Sequence, residues 1–202
     1  MSKTLVETVA PSHADQAIGT IVLAFSADPV ARWFYPDPHD YLEYLPRFVR
    51  AFAGKAFEHD SAWQINGYSG AALWLPPEVH PDEDALMALL QRTIPEESQQ
   101  EKFAFMEQMD RYHPSESHWY LPMIGVDPAK QGQGYGSALL KHSLQRCDGE
   151  SKLAYLESSS AKSIPLYQRH GFQQVGTIRV GKSPPIFPML REPQPVLTDR
   201  QR

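Results

Sequence analysis

Between residues 118 and 147 the chain carries the arrangement that most limits its fold: an apolar run, a short linker, three glycines at alternate positions and an amphipathic stripe. From His118 to Val126 both alternating faces are largely apolar, with Tyr120, Ile124 and Val126 on one side and Trp119, Leu121 and Met123 on the other. A strand covered on both faces has this pattern. Ser137, Leu140, Leu144 and Cys147 then fall at steps of three, four and three, which predicts a helix with one buried stripe. The loop Gln131-Gly132-Gln133-Gly134-Tyr135-Gly136 therefore joins a buried strand to a helix N-terminus.

Glycines at alternate positions let the backbone approach a ligand closely and turn successive N–H groups toward one point. The positive end of the helix dipole adds to that point, so a phosphate group is the natural occupant. The alternative is a tight strand-to-helix turn and nothing more. A Walker loop ends in Gly-Lys followed by Ser or Thr, whereas Gly136 is followed by Ser137 and Ala138, which excludes it. The dinucleotide fingerprint comes closer, because Glu157 ends the next strand near the position of a ribose-binding acid. Ser137 stands where its third glycine or alanine belongs, Asp127-Pro128-Ala129-Lys130 separates strand from loop, and too little chain follows for a second βαβαβ half. A dinucleotide-binding oxidoreductase stays as the second alternative.

The chain has 202 residues, enough for one substantial core and short for two. Residues 1–192 are expected to form a single domain and 193–202 a flexible tail. Net charge is −5 with the basic residues scattered, so neither a nucleic acid nor a membrane surface is an expected partner. Cys147 is the one cysteine, which rules out an intrachain disulfide and a cysteine-built metal site. The histidines show no paired ligand spacing, and no metal is expected. The apolar stretch from Ile18 to Phe25 is interrupted by Gly19 and Thr20 and falls short of the roughly 20 residues of a membrane span. With no basic leader in view, a cytoplasmic protein is expected.

Ahead of the glycine loop the pattern predicts a strand over Thr4 to Val9, a helix from Ser12 to Phe25 that Asp28-Pro29 terminates, and a helix over Asp40 to Phe52 that Pro46 kinks or restarts. A hairpin turned at Asn66-Gly67 links Ser61–Gly67 to Gly70–Leu75, and two helices follow over Asp82–Gln91 and Glu96–Tyr112. Behind the loop come a strand over Leu153–Glu157, a short helix over Ser163–His170 and strands over Phe172–Val180 and Ile186–Leu190. The order describes a mixed α/β layered domain. The strand near Ile186 to Leu190 offers an edge for dimer contact, so a monomer or a homodimer is expected.

Val126-Asp127-Pro128, then Gln131-x-x-Gly134-x-Gly136 followed by Ala138-Leu139-Leu140, resembles the acetyl-CoA loop of the GCN5-related N-acetyltransferases (GNAT), whose pattern is Gln or Arg, two residues, Gly, any residue, Gly or Ala. Leu156-Glu157-Ser158, Ile164-Pro165-Leu166-Tyr167 and His170-Gly171-Phe172 are similar to that family's next strand, tyrosine-bearing helix and closing strand. Together with His118-Trp119-Tyr120-Leu121 and Ala72-Leu73-Trp74-Leu75-Pro76-Pro77 they resemble the branch containing puromycin N-acetyltransferase. The resemblance implies a mostly antiparallel central sheet of about seven strands with helices on both faces. It implies acetyl-CoA as cofactor, CoA as product and the amine of a small molecule as acceptor. Met123, Ile124 and Val126 would pair with the pantetheine arm where the sheet splays, Gln131, Gly132, Gln133, Gly134, Tyr135, Gly136 and Ser137 would surround the pyrophosphate, and Tyr167 would stand near the sulfur as general acid. Where many members carry Asn before the tyrosine helix, this chain has Ser160 and Ser163.

Acyl transfer to an amine needs a base, and two residues qualify: His118, with an ordinary pKa near 6.5, and Glu157, directly or through water. Trp33, Phe34, Tyr35 and Trp74 are candidates for the acceptor pocket, since aromatic walls suit a ring-bearing or partly apolar amine. A catalytically silent acyl-CoA-binding or partner-binding module on the same fold is the other class of function the sequence allows.

Overall fold

The computed structural model describes residues 5–195; Thr4 of the expected first strand and residues 196–202 of the expected tail lie outside them. One sheet of seven strands organises the molecule, in the order β1 (Val6–Thr8), β2 (Ala62–Ile65), β3 (Gly70–Leu75), β4 (His118–Val126), β5 (Leu153–Ser158), β7 (Phe187–Arg191) and β6 (Gln173–Gln174). Every pairing is antiparallel except β4 with β5. The crossover between those two is the glycine loop and the helix α6 (Tyr135–Gly149).

Alternation along the strands splits the interior into two layers. Leu73, Leu75, Tyr120, Met123 and Tyr155 face a cluster built with α1 (Ala14–Ala24), α2 (Pro29–Phe34), α3 (Pro38–Ala53), α4 (Glu83–Thr93) and α5 (Glu96–Asp110). Ala72, Trp74, Trp119, Leu121 and Leu156 face the other, capped by α6 and α7 (Ile164–Arg169). Residues one apart in a strand point to opposite sides. The hairpin turns as the sequence indicates, with Asn66 at φ 47° and Gly67 at φ 63°.

Three local expectations are corrected. Asp28-Pro29 starts a helix: the Asp28 carboxylate accepts from the N–H groups of Val30 and Ala31, both at 2.9 Å, and Pro29 occupies the first turn, where a missing N–H costs nothing. Pro46 lies inside one continuous helix, α3, so of the two expected outcomes no new segment starts there. The carbonyl four residues back, at Leu42, loses its intrahelical donor, and Leu42 is 64% exposed, so water can serve it. The expected strand over Phe172–Val180 shrinks to Gln173–Gln174 and one isolated bridge from Ile178 to Ile186. Gly176 sits between them where a Cβ would come within 2.3 Å of the Tyr112 ring, so only glycine fits there.

Candidate active site

Strands β4 and β5 are registered only from His118 against Leu153 to Tyr120 against Tyr155, although β4 runs on to Val126 and β5 to Ser158. Beyond Tyr120 they part. Pro122 lacks a backbone donor, and the register of β4 on β3 slips by one residue between Leu73 and Leu75, so a bulge bends the strand there. A cleft of about 870 Å³ opens at the parting. Met123, Ile124 and Val126 line it along the edge that β5 has left.

The glycine loop forms one mouth of the cleft. Gly132 and Gly134 have φ of +76° and +83°, a region glycine enters without the cost that a Cβ imposes, and no atom lies within 4 Å of where either Cβ would stand. Helix α6 begins at Tyr135, two residues before its apolar stripe, with Gly134 as its N-cap and no side-chain cap. The first bonded amide is that of Ala138, 3.0 Å from the Gly134 carbonyl, and the N–H groups of residues 132 to 137 donate to no acceptor among the described residues. Unpartnered donors at a helix N-terminus form an anion site. Lys130, Lys162 and Arg169 line the same cleft and supply the local positive charge that the acidic chain as a whole lacks. Sequence reasoning had passed over these three because no basic run marks them.

Gln131, Gly132, Gly134, Tyr135, Gly136, Ser137, Ser163 and Tyr167 line the cleft; Gln133 is exposed and does not. Gln131 Nε2 donates to the Val126 carbonyl at 3.3 Å, the Tyr135 hydroxyl accepts from Asn66 at 3.1 Å, and Ser137 Oγ lies 2.7 Å from His170 Nε2. Burial lowers the His170 pKa, helped by Arg169, Arg191 and Lys141. Tyr167 projects from α7, 8% exposed, with no hydrogen bond to its hydroxyl among the described residues. Burial, then the nearby Asp28 carboxylate, pushes the phenol far above its usual value. Asp28 itself bonds Ser159, bridging the N-terminus of α2 and the loop after β5. Burial raises the Asp28 pKa against the opposing bonds from Ser159, Ala31 and Val30.

The other half of the cleft is an apolar chamber. Phe34, Tyr35, Phe48, Phe52, Phe105 and Met109 line it, contributed by α2, its C-terminal neighbour, α3 and α5. Tyr35 turns its hydroxyl to Thr93 Oγ1 at 3.2 Å. Glu157 lines the cleft with its side chain 2% exposed. Tyr120 and Tyr155 are both raised, first by burial and then by Glu157, so their hydroxyls stay neutral.

Besides Gln133, three sequence-chosen residues are not brought to the cleft. Trp74 is fully buried in the layer under α6, its ring 6.5 Å from that of Trp119, because the alternation of β3 aims it away from α2, α3 and α5. Trp33 packs outside the lining on Phe34 and Phe105, with the Lys102 ammonium 5.7 Å above its ring. Lys102 is held there by the Phe34 carbonyl at 3.2 Å. His118 does not line the cleft; its Nε2 lies 3.2 Å from His113 Nδ1, and His113 Nε2 lies 3.4 Å from Glu157. No group of three or more His, Cys, Asp or Glu among the described residues is arranged to hold a metal ion.

The dinucleotide-fold alternative fails on topology, since β4 and β5 are the only parallel neighbours in the described sheet. Residues 96–174 match the acetyltransferase (GNAT) domain model. An uncharacterized N-acetyltransferase of Schizosaccharomyces pombe is 25% identical, the match covering 89% of this chain and 79% of that protein. The crystal structure of a histone acetyltransferase HPA2 and related acetyltransferase from Corynebacterium glutamicum superposes with a TM-score of 0.69 at 22% identity, covering 96% of this chain and 99% of that one. Arylalkylamine N-acetyltransferase 2 of Aedes aegypti gives 0.66 at 13% identity, covering 96% and 100%. The parted strands and the glycine-turned helix between them lie in the segment that matches the GNAT domain model, and the chain shares the fold of these acetyltransferase structures.

Proposed function

We propose that the protein transfers the acetyl group of acetyl-CoA directly to the primary amine of a small, ring-bearing or apolar molecule. The observation that carries this reading is the set of unpartnered N–H groups of residues 132 to 137, opening on a cleft that continues into an aromatic chamber. The donor set fits a diphosphate: it is built of backbone amides, it has room where two Cβ atoms are missing, and Lys130, Lys162 and Arg169 line the same cleft. The free edge of β4 at Met123, Ile124 and Val126 suits an extended arm carrying amide groups, which would pair with it as a further strand.

Acetyl-CoA supplies the activated thioester. Tyr167 holds a proton at its hydroxyl throughout the working pH range, because its pKa is raised, and donates a hydrogen bond to negative charge forming on the departing sulfur. Glu157 takes the proton of the incoming amine, being the one candidate base that reaches the cleft. The six apolar side chains of the chamber exclude water from the amine's body and set its orientation. Among the similar structures, the Aedes aegypti protein is by name an arylalkylamine N-acetyltransferase, in keeping with an aromatic chamber. No described helix is long and apolar enough to cross a membrane. Cys147 is buried with its thiol pushed up to about 12 by burial, so it takes no part in covalent transfer.

The test is thiol release from acetyl-CoA with a panel of arylalkylamines, alkylamines and polyamines, run beside thermal unfolding with CoA. Turnover concentrated on the arylalkylamines together with stabilisation by CoA is the expected result. Stabilisation by CoA with no turnover on any amine would leave a silent acyl-CoA-binding module, and no response to CoA would remove the cofactor reading itself.

A further inference from the structure

Helix α5 turns one face to the cleft, and that face does not stay apolar to its end. Phe105, Met106 and Met109 line the chamber, and one turn before Phe105 on the same stripe stands Lys102. Lys102 is 5% exposed and makes no ion pair among the described residues. Its Nζ donates to the Phe34 carbonyl and lies over the Trp33 ring. A lysine is seldom buried without a carboxylate, because taking an ammonium out of water costs more than one hydrogen bond returns. Capping the end of α2 explains the hydrogen bond and leaves the charge unexplained, since a neutral amide would serve the same carbonyl.

Helix α2 gives that charge a place in the site. Asp28 caps its start and Phe34 is its last residue, so one wall of the cleft runs about 9 Å from a carboxylate at one end to the lysine-bound carbonyl at the other. Asp28, Val30, Ala31 and Phe34 of this wall line the cleft. The Asp28 end is the one near Tyr167, whose phenol its charge acts on, and Phe34 packs on Phe48 and Phe105 at the other. An acceptor with its amine at Tyr167 therefore lays its body along these rings and points its far end toward Lys102.

We infer that Lys102 is a specificity-determining residue, its ammonium set behind Phe34 to select acceptor amines that carry a carboxylate at the end remote from the amine and to turn away those that carry a second cation there. The inference rests on the acetyl-transfer reading above and narrows its acceptor class. Lys102 does not itself line the cleft, so the selection acts through its field across the aromatic wall. Buried charges are screened far less than exposed ones, and at about 8–10 Å such a field is worth on the order of tenfold in affinity. Burial lowers the Lys102 pKa, and Glu101 and Glu97 oppose that fall. The Trp33 ring and the Phe34 carbonyl both favour the charged form.

The experiment uses two isosteric pairs of acceptors, each sharing a shape and differing in one charge: para-carboxyphenethylamine against its para-carboxamide, and para-trimethylammonio-phenethylamine against its para-tert-butyl analogue. The wild type is expected to prefer the carboxylate to the carboxamide on the order of tenfold in kcat/KM, the difference lying in KM. Lys102→Gln keeps a donor for the Phe34 carbonyl, and Lys102→Met keeps the packing. Each should lower the carboxylate ratio and raise the trimethylammonio ratio on the order of tenfold. A uniform loss on all four acceptors, with both ratios unmoved, would reduce Lys102 to a cap of α2 and overturn the inference. A wild type that treats carboxylate and carboxamide alike would do the same. Calorimetry on the CoA-bound protein reads the selection without turnover: para-carboxyphenethylamine should bind about tenfold more weakly to Lys102→Gln than to the wild type, and equal affinity would count against the inference as decisively. Wild-type protein that acetylates other amines and none of these four would overturn the inference alone; one that acetylates no amine would overturn acetyl transfer with it.

Discussion

Asp28 and Ser159, which are 131 positions apart, meet where the start of α2 approaches the loop after β5, and the same carboxylate caps α2 through Val30 and Ala31. One side chain therefore holds a chamber wall in shape and ties it to the loop after β5. Asp28→Ala removes both functions and should cost about 1–2 kcal/mol in urea unfolding. Burial raises the Asp28 pKa above its unfolded value of 3.8, so its ionised form is the disfavoured one. The stability tied to that raised value is present below pH 3.8 and lost as pH rises through the folded pKa. Asp28→Asn keeps an oxygen for the cap and loses the buried charge, and should be the milder change at pH 7. An Asn variant as unstable as the Ala variant would show that the charge, and not the cap, supports α2.

Tyr167 stands alone in the cleft with a free hydroxyl and a raised pKa. Tyr167→Phe should lower turnover on the order of 10²-fold while leaving CoA affinity within about twofold. The alkaline side of the wild-type pH–rate profile should carry no step from this phenol, since the shift takes its ionisation beyond the assay range. Steady-state kinetics and CoA titration calorimetry check the two halves, and an unaltered kcat would take Tyr167 out of the reaction.

The half of the site built by one stretch of chain was legible in the sequence, because strand, glycine loop and helix are neighbours along it. Gly132, Gly134, Ser137 and Tyr167 all line the cleft, which their closeness along the chain makes readable. The apolar half was not, since Phe48 and Phe105 reach it from α3 and α5, helices far apart in the chain. Trp74 shows the limit within one strand: all of β3 is buried, so hydrophobicity carries no parity and the tryptophan was as credible on either face. His113 had no periodic signal at all, being a turn residue that meets Glu157 only through tertiary folding. Its five-residue spacing from His118, across the turn into a strand, was the one available hint.

Gly134 caps α6 with φ +83° and ψ 4°, and its missing Cβ would meet nothing. Gly134→Ala therefore introduces backbone strain without a clash, about 1–2 kcal/mol for a left-handed alanine. The strain is relieved by turning the loop, which swings the amides of its neighbours off their common focus. A roughly tenfold weaker CoA affinity is expected, with the midpoint of thermal unfolding lowered by a few degrees. Unchanged affinity in calorimetry would mean that these amides do not hold the diphosphate.

Arg191 closes the sheet far from the chamber, 3% exposed, with its guanidinium forked onto both Asp148 oxygens at 2.7 and 2.9 Å and its Nε on the His170 carbonyl at 2.8 Å. Burial alone would raise the Asp148 pKa, yet the bonds from Arg191 and from the Gln194 N–H outweigh it and leave a net fall below 3.8. A depressed carboxylate stabilises the fold above its unfolded pKa, and that contribution disappears as pH drops through the lower folded value. Asp148→Asn should therefore be destabilised at pH 7 by about 3–5 kcal/mol, the cost of leaving a buried guanidinium unpaired. Urea midpoints of variant and wild type should converge as the pH falls below 3.8, where the wild-type carboxylate also gains a proton. Because Arg191 also fixes the His170 carbonyl at the end of α7, the variant should lose kcat along with stability, the helix that carries Tyr167 having lost its anchor. A gap between the two proteins that stays constant from pH 7 into acid would assign the loss to packing and remove the ion pair as its cause.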